Sequence, residues 1–580
     1  MRDPQHVAQP PAATGSVPLS TWAVGIRERA LDELENERTC LIVLGVSMVL
    51  SAVLSLWLTR GITFHADDFL YFVANRGFHP RILAAPHNGH LIFVPRLIYA
   101  VVLAVFGARH YVVIRLVEAF GVVLVSGLFF AIARRRIGAP AALAPSILLL
   151  FLGSAWQNSL DPVGIAHVYC IAAGLGALLA LERPSRRADA LACVLLTVSV
   201  ATFSVGLAFV VGAAVHVLLR DDRSRRAWIF LVPLALYGAW LVAPRLHTPP
   251  FSTSTGAKLS NVLLIPNYAA DAVAAAAAAV AGLSYDFTHP ATYTIDSQWG
   301  VVLAGLAVVG LVLRLRRGGL ARTFWVALAV LLSYWVATAL VTGTTREPNQ
   351  DRYVYDAAVL GLLLAAEALA GFRVSRRALL ALFAVTVFAL GANLALLRAG
   401  GGALRADTQS DRAELAAVEI ARDRVSPGFV PQGDAKLAFL DGIAGGARPY
   451  LLAVDRNGSF AFTLAELRRQ PDGVREVADS NLAAALQLRL APALRAQAGG
   501  CLPLGSKGGR FVDLPMHPPG LLLRSATSQA VILRRFAAFP TVRVGQLSPG
   551  RFSVLRIPRD GAPDPWHLSA SGPLTACALR

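Results

Sequence analysis

The sequence predicts a polytopic α-helical membrane protein of about eleven spans, followed by a C-terminal α+β region that ends in a β-sandwich. Of its 580 residues, 55% are hydrophobic and only 16% are charged, whereas a typical soluble domain carries about 25% charged residues. The mean hydropathy is +0.55. Long apolar runs recur from residue 39 to residue 397, as expected of membrane-spanning helices. This composition excludes a soluble enzyme, a disordered protein and a fibrous repeat protein.

Arginine supplies nearly all of the positive charge. The net charge is +18, and the only lysines are Lys258, Lys436 and Lys507. A basic excess can indicate nucleic-acid binding. Here the arginines cluster between apolar runs, which is typical of topological anchors at the surface of membrane lipids. We therefore predict no nucleic-acid partner.

The N-terminal segment, residues 1–38, is rich in Pro and Ala and then charged, and we predict a cytoplasmic tail. The first apolar run begins near Cys40 and has no small-residue cleavage site. A cleaved signal peptide would need such a site. The run is therefore predicted to remain as a membrane anchor.

Eleven apolar runs approach the length of about 20 residues that a membrane-crossing helix needs, and together they form the predicted membrane domain, residues 39–397. The predicted spans are 39–59, 110–133, 139–153, 164–181, 188–203, 204–219, 227–243, 298–313, 322–342, 353–372 and 378–397. Two further apolar segments are assigned differently. Residues 90–107, interrupted by Pro95 and Arg96, are predicted to form an interfacial or re-entrant helix. Residues 257–283 are predicted to form an outer-surface helix or half of a re-entrant pair.

Five arginine clusters determine the predicted orientation. They occupy residues 134–136, 183–187, 220–226, 314–322 and 373–377. Positively charged loops stay in the cytoplasm, and eleven spans with a cytoplasmic N-terminus place all five clusters there. The chain is therefore predicted to be a multi-pass plasma-membrane protein whose residues 398–580 are extracytoplasmic.

The C-terminal region, residues 398–580, begins with mixed helical and strand-like patterns. From about residue 500 to residue 580, short strand-like runs alternate with Gly and Pro, which is typical of a β-sandwich. Cys501 and Cys577 bracket this part, while Cys40, Cys170 and Cys193 fall in predicted spans. Since the space outside the cytoplasm is oxidising, we predict a disulfide between Cys501 and Cys577. Two free thiols are the alternative.

Two adjacent carboxylates, Asp67 and Asp68, follow the first predicted span. Acidic side chains near lipid are costly unless they are solvated or functional. One interpretation is a general base whose neighbour orients it or binds a divalent cation; the other is an ordinary solvated loop. In an extended loop the two side chains point to opposite sides. One would then face the acceptor, and the other would hold His65, a cation or a backbone amide, with Asp68 favoured as the base.

The same loop continues into His87, Asn88 and His90. These side chains could bind a substrate or a metal ion, but no clear third ligand accompanies the histidines, so no metal is specified. Ordinary loop or interfacial histidines are the alternative. Arg96 and Arg115 could bind phosphate through paired donors. The alternatives are snorkelling to the headgroups and, for Arg115, an ion pair within its own helix.

A second polar loop precedes the span that begins at residue 353. Arg346 and Arg352 in this loop could bind a phosphate leaving group, and Tyr353 and Tyr355 open the span. The alternative is a charged loop with an interfacial tyrosine anchor.

These features together resemble the GT-C superfamily of membrane glycosyltransferases, over about residues 39–397. The resemblance rests on the acidic pair in the first outer loop, the interfacial helix and Arg-initiated span after it, the multi-span core, and the Arg-Tyr-x-Tyr motif of the late span. In this chain those positions are Asp67, Asp68, Arg115, Arg352, Tyr353 and Tyr355.

The resemblance implies an integral membrane enzyme that takes a sugar from a polyprenyl-phosphate carrier on the outer face. It implies that Asp67 and Asp68 include the catalytic base or a metal ligand, and that Arg346 or Arg352 contacts the carrier phosphate. An outer C-terminal domain resembling a carbohydrate-binding module also occurs in actinobacterial cell-wall arabinosyltransferases of this class.

The sequence thus favours an inverting hexosyl- or pentosyltransferase that acts on a cell-envelope glycan, lipid or protein. The side chains expected to line the substrate are His65, His87, Asn88, His90, Tyr353 and Tyr355. One alternative is a transporter or flippase of a lipid-linked sugar, which would use the same arginines without a base. A transporter typically shows internal repeats, and none is evident. The other alternative is a non-catalytic assembly protein of the cell envelope.

Overall fold

A computed structural model of the full chain describes residues 36–75, 77–243, 258–285, 293–342, 346–372, 374–433, 445–493, 498–505 and 512–579. All but the last three residues of the predicted N-terminal tail, 1–38, lie outside these ranges. The described chain consists of a helical bundle followed by a smaller region of helices and two β-sheets.

The first part of the bundle alternates long apolar helices with short connecting elements. In chain order the elements are α1 (Glu37–Leu58), α2 (Ala66–Ala74), α3 (Pro80–Leu83), β1 (Pro86–His87), β2 (His90–Leu91), α4 (Phe93–Phe106), α5 (Val112–Ile137), α6 (Ala139–Leu150), α7 (Trp156–Leu160) and α8 (Ile165–Leu181).

The second part of the bundle continues in the same way. Its helices are α9 (Arg186–Thr202), α10 (Gly206–Leu218), α11 (Arg223–Arg226), α12 (Trp228–Val242), α13 (Ile265–Ala281), α14 (Gln298–Arg317), α15 (Arg322–Leu340), α16 (Asp351–Ala368) and α17 (Arg376–Ile420).

Each of the eleven predicted spans coincides with one of these helices, but their lengths differ. Within the described residues, seven helices are long and apolar enough to cross a membrane, or eight if α6 and Gly153–Leu160, bent by 43°, form one span. The seven are Glu37–Leu58, Ala108–Ile137, Pro162–Leu181, Leu259–Ala281, Gln298–Arg317, Arg322–Leu340 and Arg376–Ile420. Helices α9, α10 and α12 are shorter, at 17, 13 and 15 residues.

The segment Leu259–Ala281 has the length of a span, yet its two ends contact the same end of the bundle. Lys258 N donates to Leu340 O (3.0 Å) at the end of α15. Just beyond the other end of the segment, Ser284 Oγ shares a hydrogen bond (2.6 Å) with Ser154 Oγ, just after α6. Helices α6 and α15 both start at arginine clusters, so their far ends lie on one side. This arrangement lays α13 across that side of the bundle.

Ion pairs gather the arginine clusters at the opposite end. Arg136 Nε donates to Glu367 Oε1 (2.8 Å), and Arg135 Nη1 donates to Glu182 Oε2 (2.5 Å). Arg226 Nε donates to Asp189 Oδ2 (3.0 Å), which joins two further clusters. Arg314 Nε reaches the carbonyl at the end of α16 (2.8 Å). The clusters that the sequence assigned to one membrane face therefore meet at one end of the bundle.

Helix α17 is 45 residues long and continues without a break past residue 397, the predicted end of the last span. Three glycines, residues 400–402, lie at this point. A side-chain carbon at Gly400 would lie 2.5 Å from Trp156 Cγ, and one at Gly401 would lie 3.1 Å from Leu58 Cβ. The glycines thus let α17 pack closely against α7 and the end of α1.

Beyond α17, the described residues of the C-terminal region form three helices and nine strands. They are α18 (Ala447–Asn457), α19 (Leu464–Leu467), α20 (Asp472–Ala485), β3 (Leu490–Pro492), β4 (Ala498–Leu504), β5 (Val512–Met516), β6 (Gly520–Arg524), β7 (Gln529–Arg534), β8 (Val542–Leu547), β9 (Phe552–Arg556), β10 (Trp566–Ala570) and β11 (Leu574–Leu579).

The strands form two antiparallel sheets, as the alternation of strand-like runs and turns predicted. The described strands order as β5-β10-β7-β8 in one sheet and β3-β9-β6-β11-β4 in the other. Their inner faces bury Leu523, Leu533, Leu568 and Trp566 in a shared apolar core. The same cluster extends to Phe64 and Phe72, in the segment between α1 and α4 that the sequence predicts to be the first outer loop. The C-terminal region is therefore packed onto that loop.

Cys501 and Cys577 face each other across the pairing of β4 with β11 and are joined by a disulfide. The remaining cysteines, Cys40, Cys170 and Cys193, are free and buried.

Removing the disulfide is expected to destabilise the two sheets. The bond closes a loop with a sequence separation of 76, for which the chain-entropy relation gives about 4 kcal/mol. Replacing Cys501 and Cys577 by Ala should therefore accelerate amide exchange in β4 and β11, measured by mass spectrometry. Reductant should have the same effect on the parent and none on the double variant. Equal exchange in parent and variant would show that the bond contributes nothing.

The predicted orientation can be tested with two single cysteines at exposed positions. Arg81 lies in the first outer loop and Arg316 at the clustered end, and both are exposed. Because the native free cysteines are buried, background labelling should be low. In intact cells, Arg81→Cys should react with an impermeant thiol reagent, whereas Arg316→Cys should react only after lysis. The reverse pattern would invert the assigned topology.

Candidate active site

The acidic pair lies in the first turn of helix α2, and the expected extended loop is wrong. The helix begins because Asp68 Oδ1 accepts the backbone N–H of His65 (2.5 Å), which satisfies one of the unpaired donors of the first turn. Ala66 between them has a φ of +47°, a left-handed conformation that costs a non-glycine residue about 1 kcal/mol. The two carboxylates therefore point in directions set by a helix.

The buried face of α2 fixes its position on the C-terminal region. Phe69 packs against Tyr450, with ring centroids 5.9 Å apart. Phe460 contacts both Phe64 and Phe72 at 5.0 Å. Aromatic pairs at these distances contribute roughly 0.5–1.5 kcal/mol each beyond area burial. Several such pairs hold the first outer loop in place.

Asp68 is directed inward. It has 0% exposure, and Tyr111 Oη donates a hydrogen bond to its second oxygen, Oδ2. Burial, together with the nearby charge of Asp161, raises the pKa of Asp68 well above its ordinary value. Both oxygens of this carboxylate are thus occupied by groups that build the loop.

Asp67 has the opposite environment. Its side chain is 37% exposed, and Oδ2 lies 3.2 Å from His87 Nε2. Although partial burial acts in the other direction, the positive charges of His87, Arg352 and His65 hold the pKa of Asp67 below its ordinary value. Asp67 is therefore ionised at neutral pH and accessible.

His87 and His90 are presented by a tight hairpin that the sequence analysis did not identify. Asn88 (φ +49°) and Gly89 (φ +80°) form its two-residue turn, and Asn-Gly is the strongest short signal for such a turn. His87 and His90 pair directly across the hairpin, so they lie on the same face. The Nδ2 of Asn88 lies 3.4 Å from His87 Nε2.

His90 belongs to a second polar group at the same end of the bundle. Its Nδ1 lies 2.8 Å from Ser204 Oγ, and its ring is 4.4 Å from that of Phe203. Burial, with the charge of Arg346 and of neighbouring histidines, lowers the pKa of His90 to about 3. His90 is therefore neutral and can accept or donate a hydrogen bond without carrying charge.

Arg352 and Arg346 provide the positive charge of the site. Arg352 Nη2 donates to Gln350 Oε1 (3.0 Å), and its guanidinium lies 5.2 Å from the Tyr353 ring centroid. The charge of Arg352 reaches both Asp67 and His90, and that of Arg346 reaches His90. The late loop therefore lies within electrostatic range of Asp67 and His90.

Three residues that the sequence places in the site have structural roles or are buried instead. Arg96 Nη1 donates to Ile82 O and Ala85 O, both at 2.6 Å. Arg115 Nε donates to Thr59 Oγ1 (2.8 Å), and its Nη2 donates to Leu56 O. Tyr355 is fully buried at 0% exposure. The two arginines are buried and hold backbone segments, so the expectation that they bind phosphate is corrected.

His65 links the site to a residue that sequence reasoning missed. His65 Nδ1 lies 2.5 Å from Asp411 Oδ2, on the part of α17 beyond residue 397. Burial alone would lower the pKa of His65, but the hydrogen bond and charge of Asp411, with the charges of Asp161 and Asp68, raise it to about 10. No local sequence signal marks Asp411, because 346 residues separate the two.

Among the described residues, no group of three or more His, Cys, Asp or Glu side chains is arranged to hold a metal ion. The arrangement can instead accept a proton at Asp67 and attract an anion near Arg352 and Arg346.

Comparisons with known proteins give a distant structural likeness. No family model and no curated protein matches the chain. Among solved structures, the chain is similar to the arabinosyltransferase EmbB from Mycobacterium smegmatis, with 12% identity and a TM-score of 0.34. The likeness covers 93% of this chain and 64% of EmbB, so the chain spans less than two thirds of that protein's length. A likeness this distant assigns no activity.

The pair of His65 and Asp411 predicts a pH dependence of stability. The folded pKa of His65, about 10, lies above the ordinary value of 6.5. The pair therefore stabilises the fold fully below about pH 6.5, and this contribution is lost as the pH rises towards 10. The unfolding temperatures of the parent and of His65→Gln should differ most below about pH 6.5 and converge as the pH approaches 10. A difference that stays constant would contradict the assignment.

Proposed function

We propose that the protein is a membrane glycosyltransferase of the GT-C type, which transfers a sugar from a polyprenyl-phosphate donor to a hydroxyl group of a cell-envelope acceptor. The observation that carries the proposal is the accessible carboxylate of Asp67, paired with His87 (3.2 Å) and surrounded by positive charge. It lies at the end of a multi-span bundle, where a lipid carrier can enter laterally.

In the proposed step Asp67 receives the proton of the acceptor hydroxyl. The acceptor oxygen forms a bond to the anomeric carbon while the bond from that carbon to the phosphate oxygen breaks. The electron pair of the broken bond leaves with polyprenyl phosphate. A single displacement of this kind inverts the anomeric centre.

The depressed pKa of Asp67 is compatible with this step. A weak base takes a proton late, once the attacking oxygen has become acidic through partial bond formation. His87, 3.2 Å from Asp67 Oδ2, orients the carboxylate before the substrate arrives. Asp68, which sequence reasoning favoured as the base, is enclosed by Tyr111 and the His65 amide, and it serves here as a positioning residue.

The leaving phosphate would be stabilised by Arg352 and Arg346. Charge that develops on the leaving oxygen is stabilised best by donors that are already in place. Neutral His90, held by Ser204, offers a further hydrogen bond without competing for the anion. The proposed donor phosphate therefore lies between the late loop and the hairpin, with the acceptor on the Asp67 side. Tyr353, beside the Arg352 guanidinium, would flank the donor.

The proposed placement of the site is on the outer face of the plasma membrane, opposite the end that collects the arginine clusters. In the proposed domain arrangement, a membrane domain (39–397) carries the chemistry and the extracytoplasmic region (398–580) covers the first outer loop. The N-terminal tail would then be cytoplasmic.

Replacing Asp67 by Asn should lower turnover by about 10²–10⁴ while donor binding persists, because only proton transfer is removed. The measurement is release of polyprenyl phosphate from a panel of polyprenyl-phosphate sugars, with donor binding followed separately. Asp423→Asn, at an exposed position, is the matched control and should keep the parent rate.

Asp68→Asn should behave differently from Asp67→Asn, because it disturbs a buried bonded carboxylate. We expect a lower unfolding temperature and a reduced folded yield, with the remaining rate loss following the loss of folded protein. If Asp67→Asn transferred sugar at the parent rate, the catalytic assignment would fail. A flippase or a non-catalytic assembly protein would then be favoured.

A further inference from the structure

The C-terminal region contains a cavity of about 650 Å³ that takes no part in the proposed reaction. Four arginines from separate parts of the chain line it: Arg424 after α17, Arg489 before β3, Arg556 at the end of β9 and Arg559 in the loop after β9. Cavities of roughly 300–1,000 Å³ are typical of small-ligand sites.

Within the described part of the chain, no acidic side chain neutralises these four guanidinium groups. Within the described residues, none of them forms a side-chain hydrogen bond or an ion pair, and no acidic residue lines the cavity. Asp560, the nearest acid along the chain to Arg559, is paired with Arg535 at 2.7 Å. Four like charges gathered around one cavity repel one another, so a bound anion would stabilise the arrangement.

The walls between the arginines are apolar and firmly supported. Leu486, Val554 and Ile557 are buried at 8%, 6% and 3% exposure. Pro518 and Pro519 add an exposed wall. The cavity floor is thus part of the packed core, whereas the arginine rim and the two prolines are open to solvent.

The position of the cavity favours a water-soluble or polymer-borne ligand over a lipid headgroup. Helix α17 runs from the predicted membrane exit at Leu397 to Ile420, a distance of roughly 35 Å at 1.5 Å per residue. Arg424 follows that end directly. The headgroup layer extends only about 5–8 Å beyond the hydrocarbon on each side.

We propose that this cavity binds a phosphate-bearing ligand with two or more anionic groups. Arginine offers paired donors that match phosphate oxygens. Phosphate also presents three acceptor oxygens, so several arginines can share one group. The apolar wall would lie against the chain that connects the phosphates. The site would hold an anionic envelope component near the enzyme, and this assignment is independent of the proposed sugar transfer.

The test is calorimetric titration of the full-length protein, in an uncharged detergent, with inorganic tripolyphosphate. We expect saturable binding that weakens as salt is raised. The double variant Arg489→Gln, Arg556→Gln should bind roughly tenfold or more weakly. Arg551→Gln, an exposed arginine outside the cavity, is the matched control and should bind as the parent does. All three proteins should unfold at the same temperature, because the substituted side chains are exposed.

Absence of saturable binding by the parent at low salt, or an equal loss of binding in Arg551→Gln, would overturn the site.

Two further experiments identify the source of the anion. Tighter binding of tri-galacturonate than of tripolyphosphate would overturn the phosphate assignment in favour of carboxylates. Displacement of tripolyphosphate by phosphatidylglycerol vesicles, but not by phosphatidylcholine vesicles, would overturn the assignment to a ligand away from the membrane.

Discussion

The contact between the first outer loop and the extension of α17 is the interaction on which the candidate site depends. His65 and Asp411 meet at 2.5 Å, and Phe64, the residue before His65, packs against Phe460 with ring centroids 5.0 Å apart. Helix α2 starts at His65, so the direction of Asp67 follows from where His65 is held. A carboxylate on an unanchored loop would sample many orientations, and only some of them would place it correctly against a substrate.

The two neighbouring aspartates show how environment separates identical side chains. Asp68 is enclosed and bonded to Tyr111, while Asp67 faces His87 and the charge of Arg352. Their pKa values therefore move in opposite directions. The helical turn causes this separation, since successive residues on a helix point about 100° apart and only one of the two can face the cleft.

Much of the fold follows from the sequence because its determinants are local. Apolar runs give the helices at the predicted positions, and alternating runs with Gly and Pro give the two sheets. Cys501 and Cys577 crosslink neighbouring strands within one of these sheets. The hairpin at Asn88-Gly89 was also predictable from its dipeptide, although the motif was interpreted only for its histidines. Span number was harder to predict, because composition alone does not show where a short helix such as α10 ends.

The site was less predictable because its contacts are distant in sequence. Arg96 and Arg115 resemble anion-binding residues in sequence, and only their bonds to backbone carbonyls show that they hold backbone segments. Asp411 lies on α17, and the sequence predicted that this helix ends as a membrane span at residue 397. Asp67 and Asp68 were recognised as a pair, but choosing between them required the position of Tyr111, which lies 43 residues beyond Asp68.

The uninterrupted course of α17 has a consequence for how the chain can be divided. The last helix of the bundle runs on unbroken from residue 397 to Ile420, so the bundle and the first part of the C-terminal region share one helix. Replacing the C-terminal region, or truncating the chain after Leu397, would also remove Asp411. It would expose the aromatic surface of α2. The two parts of the chain are therefore expected to be inherited, expressed and engineered as a single unit.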